Sequence, residues 1–477
     1  MLFNSLAYFV FLPLVVLLYF LLPEKWRNIM LLLASCYFYM VFIPVYVLIL
    51  GFTIVIDYYA GIYLEKFEGK RRKYFLIASI VANVSVLAVF KYYNFLNDNL
   101  SLFLASFGYS NSIPDLGIAL PIGLSFHTFQ AMSYTIEVYR GNQKAEHNFW
   151  TYALYVMFFP QLVAGPIERP QNMLHQFYQK HRFSMDRLIT GGKFIIWGLF
   201  KKVVIADRLA AYTNVVYGSP EQFGGMTHLL ATFFFAFQIY CDFSGYSDIA
   251  IGSAHILGFR LMQNFNLPYL ARSISDFWKR WHISLSTWFG DYVYKPMGGN
   301  RVPGYRWAFN ILTVFLVSGL WHGANWTYVI WGGLHGVYYL FEYAAGIIGR
   351  KTGLDRRLES SAVWKALQNV YVFTAVLLAW VFFRAKSVDD AFLIVSRMLT
   401  DFSSPLYMGG SAFDTATGLA LILLLLVVQL FQYNRIAGIY FQPSGIPRLL
   451  RWTGYAFTLI LIGMLGVSSE QFIYFQF

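Results

Sequence analysis

The sequence predicts an all-α integral membrane protein of about eleven to twelve transmembrane helices, with further re-entrant or interfacial helices. Three observations lead there. Of 477 residues, 58% are hydrophobic and only 13% charged, where a soluble domain carries roughly 25% charged residues. Mean hydropathy is +0.51. Apolar runs long enough to cross about 30 Å of hydrocarbon recur along the whole chain, and helices satisfy their own backbone in each run. A spanning barrel would instead show alternating strands of about ten residues, and no such pattern occurs.

The first spans are expected over Leu2 to Leu22, Ile29 to Phe42 and Val45 to Leu64. The opening stretch has no basic n-region and no small-residue cleavage site, so it reads as a retained span. The next loop carries Lys66, Lys70, Arg71, Arg72 and Lys73, which the positive-inside rule makes cytoplasmic, with the N-terminus outside. Further spans are expected near 74–95, 117–139, 149–165, 190–213 and 228–257, then 306–321, 325–348, 364–384, 412–433 and 450–468. The stretch 264–305 is too irregular for a simple span and too apolar for an ordinary loop. Arg435, Arg448 and Arg451 make the last loop cytoplasmic, so the C-terminus is expected outside. The chain divides into one membrane domain over 1–449 and a final span with an aromatic tail over 450–477. The net charge of +12 lies in short loops, as membrane orientation produces, which argues against nucleic acid. Cys36 and Cys241 sit in apolar context and suggest neither a disulfide framework nor a metal site.

Ionisable groups inside a membrane are costly, so each is a functional candidate. The run FQIYCDFSGYSD places Asp242 and Tyr246 four residues apart on one helical face, as a polar helix–helix contact or as part of a site. The run SISDFWKRWHISLSTW spaces Asp276 and Arg280 for an i,i+4 ion pair and would put His282 and Ser286 on another face. Trp278, Trp281 and Trp288 fit an interfacial helix, which leaves His282 unexplained. In SGLWHGANWTYVIWGGLHG, His322 ends an apolar span at a break made by Gly323, Ala324 and Asn325, with His335 thirteen residues on. A membrane histidine is either a structural hydrogen bonder or a proton carrier, and an imidazole can take and return a proton near neutral pH. Metal-ligand spacing, a G-x-S-x-G elbow and a glycine-rich phosphate loop are all missing.

These residues carry a resemblance. Six colinear stretches are similar to the membrane-bound O-acyltransferase family, within it the bacterial branch of the alginate O-acetyltransferase membrane subunit and the teichoic-acid D-alanyl transferase. They are PIGLSFHTFQAMSYTIEVYRG, FFPQLVAGPIERP, GLFKKVVIADRLA, YCDFSGYSDIAIG, NFNLPYLARSISDFWKRWHISLSTW and WHGANWTYVIWGGLHG. His127 stands where the family pattern has tyrosine. The resemblance implies a ring of helices around a thin, tunnel-bearing core in a bacterial cytoplasmic membrane. It implies His322 as catalytic base, His282 as its companion, and Asp242, Asp276 and Asn325 as supports. No bound cofactor is implied; the donor would be a cytoplasmic thioester, acetyl-CoA or an acyl carrier protein. The acceptor would be an envelope polysaccharide, reached with an extracytoplasmic SGNH-like transferase partner.

The chain's last residues, SSEQFIYFQF, read as an interfacial aromatic anchor or as a functional tail. The tail is similar to the C-terminal motif of the single-span peptide that accompanies the D-alanyl transferase. That likeness implies Tyr474 as an acyl relay, since a phenolic ester stays activated for onward transfer. A transporter or flippase for an acyl or glycan intermediate is the rival reading, although no inverted repeat supports it.

Overall fold

The structure, a computed structural model, describes residues 1–353, 361–433, 448–467 and 472. The described residues form helices and connections, with no strand. Among the described residues four helices are long and apolar enough to cross a membrane, at Tyr46–Lys66, Gly69–Ala105, Ala362–Arg384 and Ala412–Phe431, and Leu6–Leu21 and Trp452–Leu465 are shorter apolar helices. Two compact units are formed, Met1–Ile195 with Tyr246–Met262, and Ile196–Gly245 with Gln263–Phe477.

The first unit contains α1 (Leu6–Leu21), α2 (Glu24–Met40), α3 (Tyr46–Lys66), α4 (Gly69–Leu87), α5 (Tyr93–Ala105), α6 (Leu124–Arg140), α7 (Phe149–Met157), α8 (Phe159–Leu162), α9 (Pro170–Met173) and most of α10 (Met185–Leu199). The span expected over 149–165 is broken into α7 and α8 at Phe158. Pro160 supplies no N–H and disfavours a helix running into it, and the Ser35 hydroxyl accepts the Phe159 N–H at 3.1 Å. Buried polar groups are paired across helices. Ser79 Oγ lies 2.6 Å from Asp57 Oδ1 and 3.0 Å from Thr135 Oγ1, joining α3, α4 and α6. Tyr8 and Ser253 meet through their hydroxyls at 2.5 Å.

In the second unit a π turn, Phe200–Ala206, leads into α11 (Asp207–Gly218) and α12 (Gly225–Leu257), whose last part belongs to the first unit. Then come α13 (Ile274–Arg280), α14 (Ile283–Phe289), α15 (Gly304–His322), α16 (Trp326–Thr352), α17 (Ala362–Arg384), α18 (Val388–Thr400), α19 (Ala412–Tyr433) and α20 (Arg448–Leu465). Trp281, Trp331 and Trp380 are among its largest fully buried side chains, and Trp331 stacks on Trp380 at 5.9 Å. Such rings bury large apolar area and fix geometry through preferred offsets.

Helices α15 and α16 pack backbone against backbone because two glycines face each other. A Cβ at Gly319 would lie 2.2 Å from the Tyr328 carbonyl oxygen, and one at Gly332 would lie 2.2 Å from that of Phe315. Neither oxygen can swing aside as a flexible side chain could. Gly332→Val is expected to cost about 1–3 kcal/mol or more, the range for overpacking. Thermal unfolding of the detergent-purified protein checks this, and an unchanged melting temperature would contradict the packing account.

Candidate active site

His322 is the last residue of α15 and is buried at 4% exposure. Its ring lies 4.8 Å from Trp321, 5.0 Å from Trp331 and 5.4 Å from Phe383. Gly323 follows in extended backbone, and its missing side chain admits the Tyr328 ring, since a Cβ there would lie 2.1 Å from that ring. Asn325 then starts α16 as its cap, its side-chain oxygen accepting the Thr327 N–H at 3.0 Å. Its amide N–H also donates to the Lys386 carbonyl at 3.1 Å. The expected helix break therefore holds His322 at a helix end within an aromatic wall.

His282 is fully buried and adopts a left-handed backbone, φ 45° and ψ 55°. The stretch from Ser273 to Trp288 is therefore not one helix. The chain turns at His282 between two helices of seven residues, α13 and α14, so the face expected to be shared by His282 and Ser286 does not form as a continuous helical face. Asn264 holds this turn. Its backbone carbonyl accepts the Ile283 N–H at 2.9 Å. Its Oδ1 accepts the Ser284 N–H at 3.2 Å and the Ser284 hydroxyl at 2.8 Å, and lies 3.3 Å from His282 Nδ1. A backbone N–H can only donate, so the atom facing it is the amide oxygen, and His282 Nδ1 must carry its proton toward that oxygen. A fully buried imidazole rests in its neutral form, because an unpaired charge is costly away from water. A neutral ring with hydrogen on Nδ1 keeps its lone pair on Nε2, and Nε2 is thus the atom able to accept a proton.

Trp321 joins the two histidines, its ring 6.3 Å from His282 and 4.8 Å from His322. His335 lies on the same wall, 5.1 Å from Trp331, and its Nδ1 accepts the Trp278 indole N–H at 3.3 Å. The other expected supports lie in different settings. Asp276 Oδ1 accepts from Arg280 Nε at 2.8 Å, the i,i+4 pair expected from spacing, and its N–H is capped by Ser273. Asp242 is buried and lies 2.7 Å from Lys202 Nζ, which is also 2.7 Å from Asp207. Tyr246, one turn on from Asp242, stacks on Phe3 at 4.3 Å. His127 is buried in α6, in the first unit. Tyr474 lies outside the described residues.

Three contributors escape a reading of the sequence. Asn264 sets the tautomer of His282 from eighteen residues upstream. Phe243 sets its ring edge-on to His282 at 4.6 Å and 81°. Phe472, two residues before Tyr474, is only 1% exposed and lies 5.9 Å from Phe243.

Two buried imidazoles on one aromatic wall, one of them with a fixed lone-pair nitrogen, can move a proton where water is scarce. Comparison with known proteins gives this arrangement a context. The membrane-bound O-acyltransferase family (MBOAT) matches residues 139–383, a stretch that contains His282, His322, Asp242 and both lysines of the π turn. The chain belongs to the membrane-bound O-acyltransferase family. It is 39% identical over 404 residues to a probable alginate O-acetylase AlgI of Pseudomonas aeruginosa, covering 84% of this chain and 75% of the relative. A peptidoglycan O-acetyltransferase of Helicobacter pylori is 35% identical over 432 residues, covering 84% and 80%. A teichoic acid D-alanyltransferase of Bacillus subtilis is 29% identical over 228 residues, covering 45% and 57%. As a member of this family the chain is a membrane O-acyltransferase.

Proposed function

We propose that this protein transfers an acetyl group from a cytoplasmic thioester to an extracytoplasmic envelope polysaccharide, with an acyl-Tyr474 ester as relay. The carrying observation is the pair His282 and His322 on either side of contact with Trp321, both buried. The names of the Pseudomonas and Helicobacter relatives, an acetylase and an acetyltransferase, support acetyl as the group, and the alginate and peptidoglycan in those names support a glycan as the destination. A multi-pass arrangement of about a dozen spans in the bacterial cytoplasmic membrane, with both termini outside, fits the loop charges and puts the tail on the acceptor side.

In this reading His322 takes the proton of the attacking hydroxyl as its oxygen bonds to the thioester carbonyl carbon. The tetrahedral intermediate collapses by breaking the C–S bond, and the proton returns to the leaving thiolate, so none is consumed. His282, neutral with its Nδ1–H on Asn264, orients the donor through Nε2 or shares the proton. Buried tryptophans around both rings keep water from competing for the thioester. Phe472, two residues before Tyr474, packs against Phe243, the ring that touches His282, which supports the relay.

Purified protein in nanodiscs, given acetyl-CoA and separately an acetylated carrier protein, should release free thiol from one of them. Label should appear on the C-terminal peptide or on an added hydroxyl acceptor. Substrate flux across the membrane without thiol release would favour the transporter reading and sink this one.

A further inference from the structure

The π turn Phe200–Ala206 carries two adjacent lysines that are only 4% and 5% exposed. Burying two ammonium groups is costly unless each is held by good partners. Lys202 Nζ sits 2.7 Å from Asp207 Oδ1 and 2.7 Å from Asp242 Oδ1, and Lys201 Nζ donates to Ser244 Oγ at 3.0 Å. Asp242 and Ser244 flank one residue of α12, Phe243. That ring touches His282 at 4.6 Å, Phe265 at 5.0 Å and Phe472 at 5.9 Å. Gly245 allows the approach, since a Cβ there would lie 2.7 Å from the Gly198 carbonyl oxygen. The lysines therefore grip α12 on both sides of the ring that meets the histidine and the tail.

The same turn also takes hold of the chain's last described segment. In π register the Asp207 N–H reaches back to the Lys202 carbonyl. An α turn would have given that N–H to the Val203 carbonyl instead. Val467, two residues beyond the end of α20, donates its N–H to that oxygen at 2.9 Å. Arg208 adds a bond to the Leu465 carbonyl at 3.2 Å. A single irregular turn thus binds the root of the tail and fixes the ring against which Phe472 packs.

We propose that this π turn is the seat of the C-terminal segment at 465–467, and that Lys201 and Lys202 are positioning residues which hold Phe243 between His282 and Phe472. The inference rests on the relay reading for its purpose, while the docking geometry stands without it. A π turn is suited to this task because an ordinary α turn would keep the Val203 carbonyl for its own helix. Displacing a reacting group by about 1 Å can cost about 10²-fold in rate, so loss of the grip on Phe243 should be read in turnover and not in donor binding.

The test uses the full chain in nanodiscs. Lys202→Met should lower kcat for acyl transfer to the tail by about 10²-fold, with KM for the thioester unchanged, and Lys202→Arg should recover most of the loss. Lys201→Met should act in the same direction. A fall in melting temperature with kcat and KM both altered, and no recovery by arginine, would reduce the lysines to structural residues and overturn the proposal. Because Lys202→Met leaves two buried carboxylates and can unfold the protein, a second variant reads docking directly. Val203→Cys/Val467→Cys should form a disulfide on mild oxidation, identified by peptide mass spectrometry, as backbone-bonded neighbours are within its reach. No disulfide would overturn the seat. An unlabelled C-terminal peptide in the wild-type protein, with the disulfide formed, would sink the relay and leave the seat standing.

Discussion

His322→Ala is expected to lower acyl transfer by about 10²- to 10⁴-fold, the usual worth of a positioned general base. The fall should lie in kcat, with KM for the thioester nearly unchanged, because the proton moves only in the transition state. Packing must be separated from chemistry here. The imidazole contacts Trp321, Trp331 and Phe383, so its removal leaves a void in an aromatic wall. His322→Gln fills much of that space without a titrating nitrogen and should be equally slow while melting near the wild-type temperature. Turnover within a few-fold of wild type in a folded His322→Gln protein would remove His322 from the base role. His282→Gln makes the comparison informative. It loses the lone-pair nitrogen yet keeps a polar group facing Asn264, so a donor-orienting role predicts a raised KM and a shared-proton role predicts a lowered kcat.

The parts of this site that sequence reveals are those set by short-range chemistry. Composition and apolar runs are enough for the helical membrane class. The His322 break was legible because Gly323 and Asn325 are a chain break and a helix cap in sequence as well as in space. The Asp276–Arg280 pair follows from helical spacing alone. What sequence hides depends on distant partners. The run around His282 has the apolar and polar spacing of one helix, and only the Asn264 side chain, holding the turn through three hydrogen bonds, makes it two. Lys201 and Lys202 look like a loop or interface charge pair until Asp207, Asp242 and Ser244 are seen around them. A π turn has no residue signature comparable to a cap or a proline. The bond from Val467, just beyond α20, to the Val203 carbonyl is likewise a long-range contact that no local spacing announces.

Tyr474→Phe is expected to abolish label on the C-terminal peptide and to stop onward transfer to a glycan acceptor, because phenylalanine has no oxygen to acylate. Its aromatic ring is retained, so an anchoring tail would be unaffected. That contrast makes the variant decisive between the anchor and the relay. The thioester need not stop turning over. With His322 and His282 in place, water or an added small alcohol can replace the phenol, so slow thiol release should persist in Tyr474→Phe and vanish in His322→Gln. A phenolic ester is a suitable intermediate because phenolate, with an ordinary pKa of about 10, leaves more readily than a sugar alkoxide. Passage from thioester to phenolic ester therefore keeps the acyl group activated, the step to the sugar ester runs downhill, and each step forms one ester bond for the one it breaks. Supplying the labelled donor, then quenching and digesting the protein, should find the acetyl mass on the peptide holding Tyr474 in the wild type. A glycan acetylated at the wild-type rate by Tyr474→Phe would mean that the sugar hydroxyl attacks the thioester directly, with His322 as its base and the tail as an anchor.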